Sequence, residues 1–312
     1  MKKVVDRHTQ GLEEAKVKDL LAVIEFCQRE NEKSAAQAVL HELLQRDLDR
    51  KQASAALMAA TLLADADMMR SFTRKLNNQP QNRNDATAAE EKNDIIVLEE
   101  LGVSGYRADS DEAVLIFNSL EPSQLRGVVD ILLEKNISPL FVHDSQRLLH
   151  LAGLGNKAGS IESSSETLKA ALAEQGITKL HTIGFSGGGL GALLYADALS
   201  ASSCLVFSPP TFAPTCDDKS EARAQILRRK VEKLNLRDVA DVAKRYSGSK
   251  NPPKTHVYYP ADSQLDILHA ERLSQLESIE MFPQETKEHS FFRKWGMERW
   301  REAIEALLAN PR

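Results

Sequence analysis

A chain of 312 residues, 42% of them hydrophobic, is long enough to bury one large core or a core with a small accessory region. Its formal net charge of -5 gives no electrostatic case for a nucleic-acid partner, and no apolar run approaches the ~20 residues of a membrane span. The three cysteines, Cys27, Cys204 and Cys216, are too few and too widely spaced for a disulfide framework or a zinc site, and no apolar stretch follows Met1 to Arg7, so the default location is cytoplasmic.

Residues 1–76 are rich in Ala, Leu, Glu, Gln, Lys and Arg and read as an all-helical region. Leu20, Leu21, Ile24 and Cys27 mark one apolar face; Ala36, Val39, Leu40, Leu43 and Leu44 mark a second; Ala55, Leu57, Met58, Ala60, Leu62 and Leu63 mark a third. Helices of this kind form a small bundle or cover a sheet face more often than they form a dedicated site, and a protein partner held through them is the alternative. No repeat recurs at a fixed period. Residues 77–94 continue the polar run Leu76-Asn77-Asn78-Gln79-Pro80-Gln81-Asn82-Arg83-Asn84-Asp85 and read as a linker or mobile loop. Within the remainder, 95–312, the first segment, Ile95 to Leu101, is apolar enough for either a helix or a strand.

From there strand-like and helical runs alternate. Strands are expected over Ala113 to Phe117, Pro139 to His143, Leu180 to Phe185, Cys204 to Ser208, Thr255 to Pro260 and Ser278 to Phe282. Pro122 stands near the start of a helix carrying Leu125, Val128, Val129, Leu132 and Leu133. Ser163 and Glu166 have capping-box spacing ahead of Leu168, Ala171 and Leu172, and Gly176 closes that helix. The charged helical stretch between Ser208 and Thr255 reads equally well as a cap over the sheet edge or as a long crossover. An amphipathic helix containing Phe291, Phe292, Trp295, Trp300, Ile304 and Leu307 ends the pattern. The layout gives a mainly parallel sheet with helices on both faces.

Gly184-Phe185-Ser186-Gly187-Gly188 sits between an apolar strand and a glycine-opened helix, the context of a G-x-S-x-G nucleophile elbow. The glycines that follow fit neither a dinucleotide fingerprint, which needs G-x-G-x-x-G and an acid closing the next strand, nor a P-loop, which needs a Lys-Ser or Lys-Thr pair. An acid and a histidine are expected later in the chain, in that order. The strand ending at Pro260 leads to two acids, Asp262 and Asp266, and the last strand leads to His289. Histidine suits a general base because it titrates near neutral pH, and an acid is needed to fix its tautomer. Asp262 and Asp266 are both open as that acid, since either also caps or turns the following helix. The oxyanion hole is expected from the amide of Gly187 and from Ser119 or Leu120 after the first core strand. His143 and Asp144 close the next strand on the same sheet edge, where they either face substrate or hold the loop. No metal or organic cofactor is implied.

The chain resembles compact α/β-hydrolase domains of bacteria, mostly of unassigned substrate and some found with cell-surface polysaccharide genes. The segments that carry the resemblance are Phe141-Val142-His143-Asp144, Leu151-Ala152-Gly153-Leu154-Gly155, the elbow, Phe207-Ser208-Pro209-Pro210, Tyr258-Tyr259, Asp266-Ile267-Leu268-His269-Ala270-Glu271-Arg272-Leu273 and the late histidine. They run in the same order and cover about the last two thirds of the chain. The resemblance places an acid three residues before His269-Ala270, which is Asp266 here. It implies hydrolase or acyl-transfer chemistry and not a substrate. Together with the elbow and the order of acid and histidine, the expected activity is that of a serine hydrolase cleaving an ester or thioester, of a small molecule or a saccharide, through an acyl-enzyme. O-acyl transfer to a sugar is the alternative, and a non-catalytic scaffold that binds a protein partner through its N-terminal helices is the rival. Two departures bear on substrate: Gly187 stands where a small residue or methionine is usual, and Leu148-Leu149-His150 stands where a pair of aromatics is often found.

Overall fold

The computed structural model describes residues 15–30, 32–63, 66–77, 94–117, 125–144, 146, 148–155, 159–213, 222–233, 235–236 and 238–309. Most of the 77–94 segment and the two oxyanion candidates Ser119 and Leu120 lie outside them. Four helices open the chain: α1 (Val17–Glu30), α2 (Lys33–Leu44), α3 (Arg50–Leu62) and α4 (Ala66–Asn77). The sequence pattern marks three of them. The fourth has only a thin apolar face, Met68, Met69 and Phe72, on an otherwise polar helix, but all three side chains are buried. Asp49 starts α3 with a capping box, accepting from the Gln52 amide at 2.8 Å.

The sheet follows with β1 (Asp94–Leu98), a 3₁₀ turn (Glu99–Leu101), β2 (Val103–Arg107), β3 (Glu112–Phe117), α5 (Arg126–Glu134), β4 (Ser138–Val142), α6 (Ile161–Glu174) and β5 (Lys179–Phe185). It continues with α7 (Gly187–Ala198), β6 (Ser203–Phe207), α8 (Ala222–Lys233), α9 (Val242–Gly248), β7 (Lys254–Pro260), α10 (Gln264–Glu271), β8 (Ile279–Gln284), a 3₁₀ turn (Phe291–Lys294) and α11 (Met297–Ala309). The strand order is β1-β2-β4-β3-β5-β6-β7-β8. β1 and β2 pair antiparallel, as do β2 and β4, and every pairing from β4 through β8 is parallel.

All six expected strands are present. The undecided segment 95–101 splits into the end of β1 and a 3₁₀ turn, stopped by Gly102 at φ +61°. α6 begins one turn before the expected box. Ser160 accepts from the Ser163 amide at 3.1 Å while the Ser163 hydroxyl lies 3.1 Å from the Ser160 amide, and the early start buries Ile161. Gly176, at φ +73°, ends it as expected.

Strand residues alternate between two apolar layers because successive side chains point to opposite faces. Val114, Ile116, Phe141, Ile183, Phe185, Leu205 and Phe207 face one layer, where α5, α11 and the N-terminal helices pack. Ala113, Leu115, Phe117, Leu140, Val142, Cys204 and Val206 face the other, covered by α6, α7, α8 and α9. α3 and α4 lie against β2 and β1, and the Ser104 hydroxyl donates to the Thr61 carbonyl. The apolar faces read from Leu20, Ile24, Val39 and Leu43 are therefore buried within the fold. α8 and α9 bury Leu227, Val231, Val242 and Tyr246 in the second layer, the crossover arrangement, and Tyr246 donates to the Leu193 carbonyl of α7 at 3.1 Å. No described helix is long and apolar enough to cross a membrane.

Candidate active site

β5 delivers Ser186 to the carboxyl edge of the sheet and α7 starts at the next residue. Ser186 has φ 49° and ψ -122°, a conformation that costs a side-chain-bearing residue on the order of 1–3 kcal/mol. Its amide donates to the Phe207 carbonyl and its carbonyl receives the Gly189 amide, each at 2.8 Å, so the turn is held from both sides. The glycines serve close approach. A Cβ on Gly184 would lie 2.5 Å from Ala192 Cβ and 2.6 Å from the Gly188 carbonyl oxygen, and one on Gly189 would lie 2.8 Å from Pro209 Cβ. Only with neither Cβ present do strand, helix and the loop after β6 meet closely enough to raise the serine.

His289 lies five residues beyond β8 and is followed, after Ser290, by Phe291 and Phe292, both buried. These rings pack with Phe185, Phe207, Trp295 and Trp300 beneath the ends of β5 and β6, which anchors the segment carrying the histidine. His289 Nε2 is 2.7 Å from Ser186 Oγ, and Nδ1 is 2.8 Å from Asp266 Oδ1. A carboxylate only accepts, so Nδ1 carries the proton and Nε2 is left to accept from the serine hydroxyl. The Asp266 side chain is 2% exposed and that of His289 21%, so the carboxylate is sealed from solvent and the imidazole is partly open to it.

Of the two candidate acids, only Asp266 meets the histidine. Asp262 is exposed, and its amide donates to the Thr286 carbonyl at 3.1 Å, tying the loop after β7 to the loop that bears His289. The Gly187 amide is at the N-terminus of α7, beside Ser186, where the helix dipole favours negative charge. His143 and Asp144 are engaged with the protein. His143 Nε2 is 3.1 Å from Ser104 Oγ, and the Asp144 carboxylate accepts from the amides of Leu148 and Leu149 at 2.9 and 2.6 Å. That clamp holds Leu149 and His150 at φ 58° and 60°. Leu149 Cδ2 then rests over Gly187, 2.6 Å from where a Cβ would stand, and the His150 ring packs on Gly191 and edge-on to Phe117. A bulkier residue than glycine at 187 would displace Leu149, so the two departures noted in the sequence fit each other sterically. Burial pushes the His150 pKa down against the pull of the Asp144 carboxylate.

Two serines not singled out by the sequence also reach the site. Ser208, buried at φ 48°, donates its hydroxyl to the His289 carbonyl at 2.7 Å, and Ser263 donates to Asp266 Oδ2 at 2.5 Å. The only signal for them was position: one directly follows β6, and the other stands three residues before the acid. Among the described residues no group of three or more His, Cys, Asp or Glu side chains is placed to hold a metal ion.

This sheet order, with the serine after β5, the acid after β7 and the histidine after β8, is that of the α/β-hydrolase fold. The chain is similar in structure to esterase 2 of Thermogutta terrifontis phosphonylated by sarin, at 14% sequence identity and a TM-score of 0.53, over 70% of this chain and 94% of that one. A butyrate-bound structure of the same esterase matches at 14% identity and a TM-score of 0.50, over 70% and 93% of the two chains. An esterase candidate from Staphylococcus aureus matches at 14% identity and a TM-score of 0.51, over 78% and 92%. No protein-family model matches the sequence, and no curated protein is significantly similar to it. The chain has the α/β-hydrolase fold.

Proposed function

We propose that the protein is a serine carboxylesterase that cleaves a small-molecule ester through an acyl-enzyme. Ser186 Oγ attacks the ester carbonyl as its proton passes to His289 Nε2, and Asp266 holds Nδ1–H and stabilises the imidazolium. The imidazolium then gives its proton to the leaving oxygen, which departs as the alcohol. In the second half His289 takes a proton from water, the hydroxide adds to the acyl carbon, and the proton returns to Ser186 Oγ as the acid leaves. The Gly187 amide is the first donor to the oxyanion; the second is assigned to Ser119 or Leu120 on sequence order alone.

The observation that carries this reading is the continuous path from a strained serine through His289, at 2.7 Å, to a buried acid, at 2.8 Å. A scaffold that had lost catalysis would be expected to show serine and histidine out of hydrogen-bond reach. The ester, and water as the acyl acceptor, are favoured over thioester cleavage and sugar acylation by the esterases among the structural neighbours.

The test is intact-mass spectrometry after exposure to a fluorophosphonate, with native protein, Ser186→Ala and His289→Ala compared. A single adduct is expected on the native protein, none on Ser186→Ala, and labelling at least about 10³-fold slower on His289→Ala. Labelling of Ser186→Ala at the native rate refutes the assignment.

A further inference from the structure

Ser263 precedes α10 at the position where a serine side chain ordinarily accepts a hydrogen bond from an amide two or three residues on. Its backbone is suitably extended, φ -106° and ψ 111°, and its carbonyl receives the Ile267 amide at 2.9 Å, yet its hydroxyl caps nothing. The hydroxyl turns to Asp266 Oδ2 at 2.5 Å. Asp266, three residues on, is the position from which a carboxylate commonly reaches back to the capping residue's amide. Here its other oxygen meets His289 Nδ1 at 2.8 Å. A pair with the spacing of a helix-start motif has thus given up local capping: Ser263, 8% exposed, is turned to Asp266, and Asp266, 3% exposed, is turned to the histidine. The neighbouring titratable groups have their own engagements: His269 Nδ1 accepts from the Thr211 amide at 3.2 Å, Glu288 pairs with Lys294 at 2.7 Å, and Asp262 is exposed.

We propose that Ser263 is a positioning residue for the Ser186–His289–Asp266 relay, acting through the acid; this rests on the esterase reading above. Its donated hydrogen bond fixes the plane of the carboxylate so that Oδ1 meets Nδ1–H. It also draws charge toward Oδ2, which tempers how strongly Asp266 stabilises the imidazolium. Without the hydroxyl more of the carboxylate charge falls on Oδ1, facing Nδ1–H, so the imidazolium is favoured and the acid limb of reactivity moves to higher pH.

The experiment follows the fluorophosphonate labelling rate from pH 5 to 9 for the native protein, Ser263→Ala and Ser263→Thr, with Ser186→Ala as the blank. For Ser263→Ala the acid limb is expected to rise by about one pH unit, the worth of a hydrogen bond to a charged acceptor, with a plateau about tenfold lower from looser positioning. Ser263→Thr, which restores the hydroxyl, is expected to return the limb to its native position. A lower plateau with the limb unmoved in Ser263→Ala overturns the proposal, because a purely structural role slows labelling without shifting it. If Ser263→Ala does not fold, Ser263→Cys, a weaker donor of similar volume, must move the limb in the same direction, and an unmoved limb there overturns the proposal equally. Failure of the esterase reading is separate: it shows as no labelling of the native protein or as labelling that survives Ser186→Ala.

Discussion

Replacing Asp144 with asparagine tests whether this residue holds the loop or faces the substrate. In the structure its carboxylate receives the Leu148 amide at 2.9 Å and the Leu149 amide at 2.6 Å, and Leu149 and His150 follow in left-handed conformations at φ 58° and 60°. Hydrogen bonds to a charged acceptor are worth about 1.5–3 kcal/mol each, but both are partly buried and asparagine keeps one acceptor oxygen, so the expected loss is about 2–3 kcal/mol. Two side-chain-bearing residues in left-handed geometry already cost about 1–2 kcal/mol each, so the loosened segment relaxes toward ordinary backbone and carries Leu149 off Gly187. Urea unfolding of Asp144→Asn is expected to show that loss, and fluorophosphonate labelling to slow about tenfold because the wall beside the Gly187 amide has moved. Leu149→Gly separates the two effects. It relieves the left-handed strain, by about 1 kcal/mol, which offsets part of the packing it loses, while it uncovers Gly187 and admits bulkier acyl groups. The reasoning is refuted if Asp144→Asn unfolds at the native urea concentration and only raises KM for the ester, the signature of a group that contacts substrate.

Ser208→Ala removes the hydroxyl that holds the His289 carbonyl at 2.7 Å; kcat is expected to fall about tenfold with KM nearly unchanged, and an unchanged kcat excludes the role. Gly184→Ala puts a Cβ 2.5 Å from Ala192 Cβ and 2.6 Å from the Gly188 carbonyl, so urea unfolding should show a loss of about 1–3 kcal/mol, together with lost labelling as the elbow shifts. Burial lowers the pKa of His150, His181 and His256, against the pull of Asp144, Glu112 and Glu280 respectively. The unfolded chain therefore binds more protons than the folded one below the ordinary histidine value of 6.5, and stability present above that pH is lost as the pH falls through the lower folded values. Thermal unfolding midpoints should drop between pH 7.5 and pH 5, and His150→Gln should flatten that drop; a midpoint that rises toward pH 5 contradicts the sign.

The parts of this fold legible in the sequence are those whose environment is repetitive. β3 to β6 lie in a sheet covered on both faces and read as apolar runs, and the order of serine, acid and histidine follows from the order of strands. β2 escaped because its five residues include Ser104, Gly105 and Arg107, and its place is set by antiparallel pairing with β1 and β4. In β1 the apolar run Ile95 to Leu98 is too short to separate strand from helix by period. The residue pattern alone leaves Asp262 and Asp266 level, because both follow β7 and both suit a helix start; the resemblance points to Asp266, and its contact with His289 exists only in space. Ser208 and Ser263 act through single hydroxyl bonds, which leave no periodic trace.

Backbone strain marks the site more sharply than any sequence pattern does. Among the described residues seven that are not glycine have positive φ: Asn136, Leu149, His150, Ser186, Ser200, Ser208 and Asn235. Asn136, Ser200 and Asn235 stand just past the ends of α5, α7 and α8, and the amides of the residues after them, Ile137, Ala201 and Leu236, bond back to Leu132, Ala196 and Val231 at 2.8–2.9 Å. That is ordinary helix termination, in which a small polar residue adopts the left-handed turn. The other four end no helix, and one of them is leucine, a bulky side chain for which the conformation is unusual. Each is held by a bond or contact at the same sheet edge: the Leu149 amide by Asp144, the His150 ring against Gly191, the Ser186 amide by Phe207, and the Ser208 amide by Tyr258 at 2.8 Å. Ser186 itself meets His289, Ser208 holds the His289 carbonyl, Leu149 covers Gly187 and His150 packs on Gly191, one turn further along the same helix. Strain is kept only where neighbouring structure over-determines it, and its concentration here is what a pre-organised nucleophile, base and oxyanion donor would require.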